Sequence, residues 1–130
     1  MMTIEVFQFL EASVVASPLK IISDMTSQGL CLRVSGDVFL ETAPELRAAI
    51  VHELTSLQNK RVIVDIRDID IMDSSGIGAL LNSRKAVADL PVEMYVLAAL
   101  GSQPHRILAV AGLVQPLNVI FDTNKLSDLE

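Results

Sequence analysis

The chain has 130 residues, enough for one domain with a hydrophobic core. Hydrophobic residues make up 51% but aromatics only 4%, with no Trp, so Leu, Ile, Val and Ala must build that core. A formal net charge of −6, with the ten basic residues scattered, argues against binding nucleic acid or an anionic membrane surface, both of which need clustered Lys and Arg.

In chain order, residues 1–18 stand apart as an N-terminal extension, to be placed as an edge strand, a helix or an interaction arm. Their Ala-Ser-Val-Val-Ala-Ser end is faintly like a signal-peptide cleavage site. Glu5 and Glu11 interrupt the apolar stretch and no basic residue precedes it, so a cytoplasmic protein is expected. From Leu19 the pattern is regular, and residues 19–130 read as the folded domain. "LKIIS" and "LCLRV" read as strands joined by a turn over Ser27, Gln28 and Gly29, and Gly36-Asp37 ends the second. The alternation places Cys31, the chain's single cysteine, as a small packed residue, and excludes an intrachain disulfide or a cysteine-rich metal site.

"TAPELRAAIVHELTSL" predicts a helix. Thr42 and Glu45 have capping-box spacing, Pro44 is tolerated in a first turn, and Leu46, Ala49, Ile50, Leu54 and Leu57 share a face. "RVIVDI" is a continuous aliphatic run suited to a buried central strand. A second helix carries Ile77, Leu80, Leu81 and Val87. "VEMYVLAA" is a strand, and "PHRILAVAG" is a third helix, started near Ser102–Pro104 and stopped by Gly112. "LNVIF" is a last short strand, after which Thr123 is placed to cap a final helical turn. Strands alternating with single helices imply parallel neighbours joined by right-handed crossovers. No run approaches the ~20 apolar residues that cross a bilayer.

The chemistry concentrates in "VIVDIRDIDIMDSSGIGALLNSRK", where Ser74 and Ser75 stand between an acidic loop and a glycine-led helix. A serine hydrolase is disfavoured: the motif is not G-x-S-x-G, and His52 and His105 fall on surface positions. Gly76-x-Gly78 lacks the third glycine of a dinucleotide fingerprint, and it does not directly follow a strand. Asp65, Asp68, Asp70 and Asp73 lack calcium-loop spacing, so neither a metal nor a cofactor is expected. Two readings of the serines remain. Asp73 or Ser74 caps the helix and nothing more, or one hydroxyl accepts a phosphate, which a helix N-terminus accommodates.

This stretch resembles the STAS family, the domains of bacterial anti-sigma-factor antagonists. The likeness rests on an aliphatic strand ending in Asp65, a loop, and Asp73-Ser74-Ser75-Gly76-Ile77-Gly78. "LCLRVSGDV" before "TAPELRAAI", and "LAVAGL" at 108–113, support it. The resemblance implies an α/β fold, a single STAS-like domain whose mixed sheet has helices packed mainly on one face, and no catalytic site. It further implies that Ser74 is phosphorylated by a serine kinase that is also the anti-sigma factor. The unphosphorylated form binds that kinase, and a PP2C-type phosphatase restores it. Asp73, Ser75, Gly76 and Asp37 would shape the contact surface. A constitutive interaction subunit of a transporter or signalling complex is the alternative on the same fold. Phe39 and Leu40 depart from the acidic or polar residues common at their positions. Exposed, they mark a contact with a different partner or a homodimer; buried, they extend the core.

Overall fold

Alternating and continuous aliphatic runs become the strands of one sheet in the computed structural model, which describes residues 19–56 and 58–127. The extension over residues 1–18 and Leu57 lie outside the described residues. The element order is β1 (Lys20–Thr26), β2 (Gly29–Ser35), α1 (Ala43–Leu54), β3 (Arg61–Asp68), α2 (Ser74–Ala86), β4 (Glu93–Leu97), α3 (Gln103–Val110), β5 (Val119–Ile120) and α4 (Asn124–Ser127). The sheet runs β1-β2-β3-β4-β5, with β1 antiparallel to β2 and the other neighbours parallel.

The side-chain period of two sorts each strand onto two faces. Leu32 and Val34 of β2, Val62, Val64 and Ile66 of β3, and Met94 and Val96 of β4 face one way. They pack against Leu46, Ile50 and Leu54 of α1, Leu80 of α2 and Leu108 of α3. On the opposite face, Ile63 and Leu97 form a smaller cluster with Leu126 of α4, flanked by Tyr95 and Ile120. The sheet is therefore mixed, with its longer helices on one face.

Three local readings are corrected. Thr42 does not form a capping box: its backbone is helical and its side chain makes no cap hydrogen bond. Its hydroxyl instead accepts from Phe39 N (3.1 Å) and donates to Asp37 O (3.0 Å), closing the loop ahead of α1. The last strand shrinks from "LNVIF" to Val119–Ile120, and it starts just after Asn118, which takes a left-handed φ of 51°. At α4 the carboxylate of Asp122, not Thr123, accepts from Asn124 N (2.8 Å). The third helix begins and ends as expected: Ser102 Oγ accepts from His105 N, and Gly112 has a φ of 74°.

Candidate functional site

Parallel strands deliver their following loops to one edge of a sheet, and here three loops meet beyond β2, β3 and β4. Val38, after β2, pairs with Met72, after β3, in an isolated parallel bridge. Val38 N donates to Ile71 O (3.0 Å) and Asp73 N donates to Val38 O (3.1 Å). The Asp37 carboxylate adds a longer contact, accepting from Ile71 N at 3.3 Å. From the start of α3, where the third loop ends, the Gln103 amide grips the Met72 backbone on both sides. Its Oε1 accepts from Met72 N and its Nε2 donates to Met72 O, each at 2.9 Å. Buried peptide groups need such partners, so these bonds fix the chain that leads to Ser74.

Asp73 is the N-cap of α2, in extended conformation, with Oδ1 accepting from Ser75 N at 2.8 Å. Capping therefore falls to Asp73. Ser74, the first helical residue, is exposed, and among the described residues its hydroxyl makes no hydrogen bond. Ser75 is half-buried and Gly76 is buried. A Cβ at Gly76 would collide with Met72 Cγ, lie 2.7 Å from Met72 Sδ, and stand 3.1 Å from Val38 Cγ1. Glycine thus lets the first turn of α2 sit directly on the Val38–Met72 bridge. Gly78 is different: a Cβ there would meet nothing within 4 Å. An interior helix glycine costs roughly 1 kcal/mol relative to alanine, and no packing contact offsets it here.

The surface around Ser74 is acidic and apolar together. Asp70 and Asp73 are exposed and Asp37 is half-buried. Leu40 is 72% exposed, Leu100 74%, Ile71 46% and Phe39 38%, so each of the three loops presents a large apolar side chain. Exposure of Phe39 and Leu40 decides between their two readings in favour of a surface. Beside Ser75, a cleft of about 470 Å³ separates α1 from α2, lined by Leu40, Pro44, Arg47, Gly78, Ala79 and Asn82 among others.

The remaining candidates have structural tasks. Asp65 is 5% exposed and does not join the acidic loop. Both its carboxylate oxygens take the Arg67 guanidinium, at 3.0 and 2.9 Å, and that hydrogen bonding pushes Arg67 above its ordinary pKa. Cys31 is half-buried, and burial, with Asp65 nearby, pushes its thiol up. His105 is half-buried: its Nδ1 accepts from Gly101 N (2.9 Å), and its ring meets Phe121 edge-on at 4.7 Å. His52 is exposed on α1. Among the described residues no group of three or more His, Cys, Asp or Glu is placed to hold a metal. None of their helices is long and apolar enough to cross a membrane.

Sequence reasoning missed Gln103 and gave Thr42 a different bond. Gln103 acts on a residue 31 positions away, so nothing local signals its task. The free space over Gly78 was equally invisible, since Gly-x-Gly reads alike whether or not a neighbour fills it.

The model of the STAS domain matches residues 18–125. The chain belongs to the STAS domain family. An anti-sigma F factor antagonist of Paenibacillus polymyxa is 28% identical over 103 residues, covering 78% of this chain and 86% of that protein. Among solved structures, an anti-sigma factor antagonist from Mycobacterium paratuberculosis superposes with a TM-score of 0.73 at 16% identity, covering 85% of this chain and 92% of the other. The Bacillus cell-fate determinant SpoIIAA, in its phosphorylated form, superposes with a TM-score of 0.59 at 17% identity, covering 85% of this chain and all of the other. At these identities the structures establish that this STAS domain shares their fold.

Proposed function

We propose that this STAS domain is an anti-sigma-factor antagonist, a non-enzymatic cytoplasmic switch controlled by phosphorylation of Ser74. Unmodified, it binds an anti-sigma factor that is also a serine kinase, through the surface of Asp37, Phe39, Leu40, Asp73, Ser74, Ser75 and Gly76. Phosphorylated, it releases that partner, and a PP2C-type phosphatase restores the binding form. Residues 19–130 form the switch, and residues 1–18 are an appendage to it.

The observation that carries this reading is the division of labour at the start of α2. Asp73 caps the helix, which leaves the Ser74 hydroxyl exposed and without a hydrogen bond among the described residues. A phosphate there stands at the positive end of the helix dipole, so the domain tolerates it. It also adds about −1.5 to −2 charges beside Asp73 and Asp70, moving the net charge from −6 to about −8. The fold persists while the surface changes. The antagonist relative named above supports the partner class.

Intact-mass analysis after incubation with ATP and purified host anti-sigma kinases tests the proposal. One added phosphate that disappears in Ser74→Ala is the expected result. If no such kinase binds or modifies the protein, the switch is wrong and a constitutive interaction subunit replaces it.

A further inference from the structure

The two glycines of the Gly-x-Gly stretch have opposite surroundings. Gly76 is enclosed by Met72 and Val38, whereas the space over Gly78 is open. Gly78 has no positive φ to require glycine, so nothing among the described residues explains the missing side chain. It borders the cleft between α1 and α2, whose apolar lining comes from Leu40, Ala43, Pro44 and Ala79. Arg47 is the one charged residue of that lining among the described residues. It is exposed and makes no ion pair among the described residues.

We propose that this cleft is a docking slot for a segment of the anti-sigma factor, which seats an apolar side chain over Gly78 and sets a carboxylate against Arg47. The inference rests on the antagonist reading and names how that partner is held. Three observations fix the occupant's chemistry. The absent Cβ at Gly78 lets a foreign side chain reach the helix backbone, with Leu40 and Ala79 to cover it. Charge sets the segment's chemistry: Arg47 is the charged residue of the described lining, so an acidic side chain suits the occupant. The cleft is continuous with the switch, because Ser75 lines it and follows Ser74 directly. A phosphate on Ser74, next in sequence to Ser75 of the lining, adds negative charge beside the cleft and so disfavours an acidic occupant, which couples modification to release.

The test measures binding of the full chain to each purified host anti-sigma factor by calorimetry, alongside thermal unfolding. Gly78→Ala is expected to melt roughly 3–4 °C higher than wild type, because alanine suits a helix better. It is nevertheless expected to bind at least tenfold more weakly, and Gly78→Leu is expected to lose binding. Arg47→Glu should weaken binding tenfold or more, and Arg47→Gln less, with a shallower salt dependence. If wild type binds while Gly78→Ala and Arg47→Glu match it, the slot is empty in the complex and this inference alone fails. If wild type binds no anti-sigma factor, the antagonist reading fails and takes the slot with it. Should wild type instead self-associate in sedimentation and Gly78→Leu be monomeric, the occupant is a second copy, which also overturns the proposal.

Discussion

Replacing Gly76 by alanine puts the packing of the switch edge to a quantitative test. The new methyl group collides with Met72 Cγ, approaches its Sδ to 2.7 Å, and stands 3.1 Å from Val38 Cγ1. Met72 is flexible, but both it and Val38 are fully buried, so neither side chain has room to retreat. Overpacking of this kind costs about 1–3 kcal/mol. Against it stands the helix preference of alanine over glycine, about 1 kcal/mol. The net expectation is a loss of up to about 2 kcal/mol for Gly76→Ala, and a gain of up to about 1 kcal/mol for Gly78→Ala. For a chain of 130 residues the unfolding entropy is roughly 270 cal/mol/K, so 1 kcal/mol corresponds to about 4 °C. Gly76→Ala should therefore melt below Gly78→Ala, by as much as about 11 °C in Tm. Urea unfolding with unchanged m-values and calorimetric melting both read this out. Equal stabilities for the two variants would refute the close approach of α2 to the Val38–Met72 bridge.

Other consequences are local. Gln103→Leu removes both partners of the Met72 peptide and should cost about 1–3 kcal/mol; hydrogen exchange at Met72 should accelerate well beyond that at Val64, and equal protection would deny the clamp. Arg67→Gln strips the guanidinium from the buried Asp65 carboxylate. Because Arg67 is half-exposed and solvent screens the pair, the loss in urea unfolding should be about 1–3 kcal/mol rather than the full value of a buried ion pair. A neutral effect would mean that water serves Asp65 equally well. Burial raises the Cys31 pKa, so the reactive thiolate is depleted below the folded-state pKa and forms only as pH climbs past it. Alkylation at pH 8 should be slower in the native protein than in urea, and the native pH profile should lie at higher pH. An identical profile would show that the thiol is not buried as described.

Much of the scaffold was legible because burial dictates residue type. "LCLRV" alternates since β2 has two unlike faces, and "RVIVDI" does not since β3 is covered on both. That pattern, with single helices between strands, led to the element order that the structure shows. Errors fell where one side chain had two possible bonds. Thr42 sits at the spacing of a capping box, yet its hydroxyl bonds to the loop behind it. Asn118 stands within an apparent strand, but its backbone is left-handed; its carbonyl still accepts from Val96 N (3.2 Å), and its side chain donates to Met94 O (3.0 Å).

At the site, the sequence marked the position of Ser74 and Ser75 but left their tasks open. Helix-start preferences allow either Asp73 or Ser74 to cap, and only the geometry assigned the bond to Asp73. Exposure of Leu40 was equally undetermined, since a leucine after a glycine turn can enter the core or leave it. The bonds that hold the site together join residues about 31 to 34 positions apart, beyond any local pattern.

The central claim is that a phosphate on Ser74 switches binding without unfolding the domain. If that phosphate must be desolvated beside Asp73 in the interface, a penalty of about 4 kcal/mol weakens association about a thousandfold. Calorimetric titration of one purified anti-sigma factor with the unmodified and the Ser74-phosphorylated chain measures this directly, with circular dichroism on both. The account expects superimposable spectra and a Kd raised about a thousandfold by the phosphate. Equal Kd values for two folded forms, or loss of the native spectrum on phosphorylation, would contradict it.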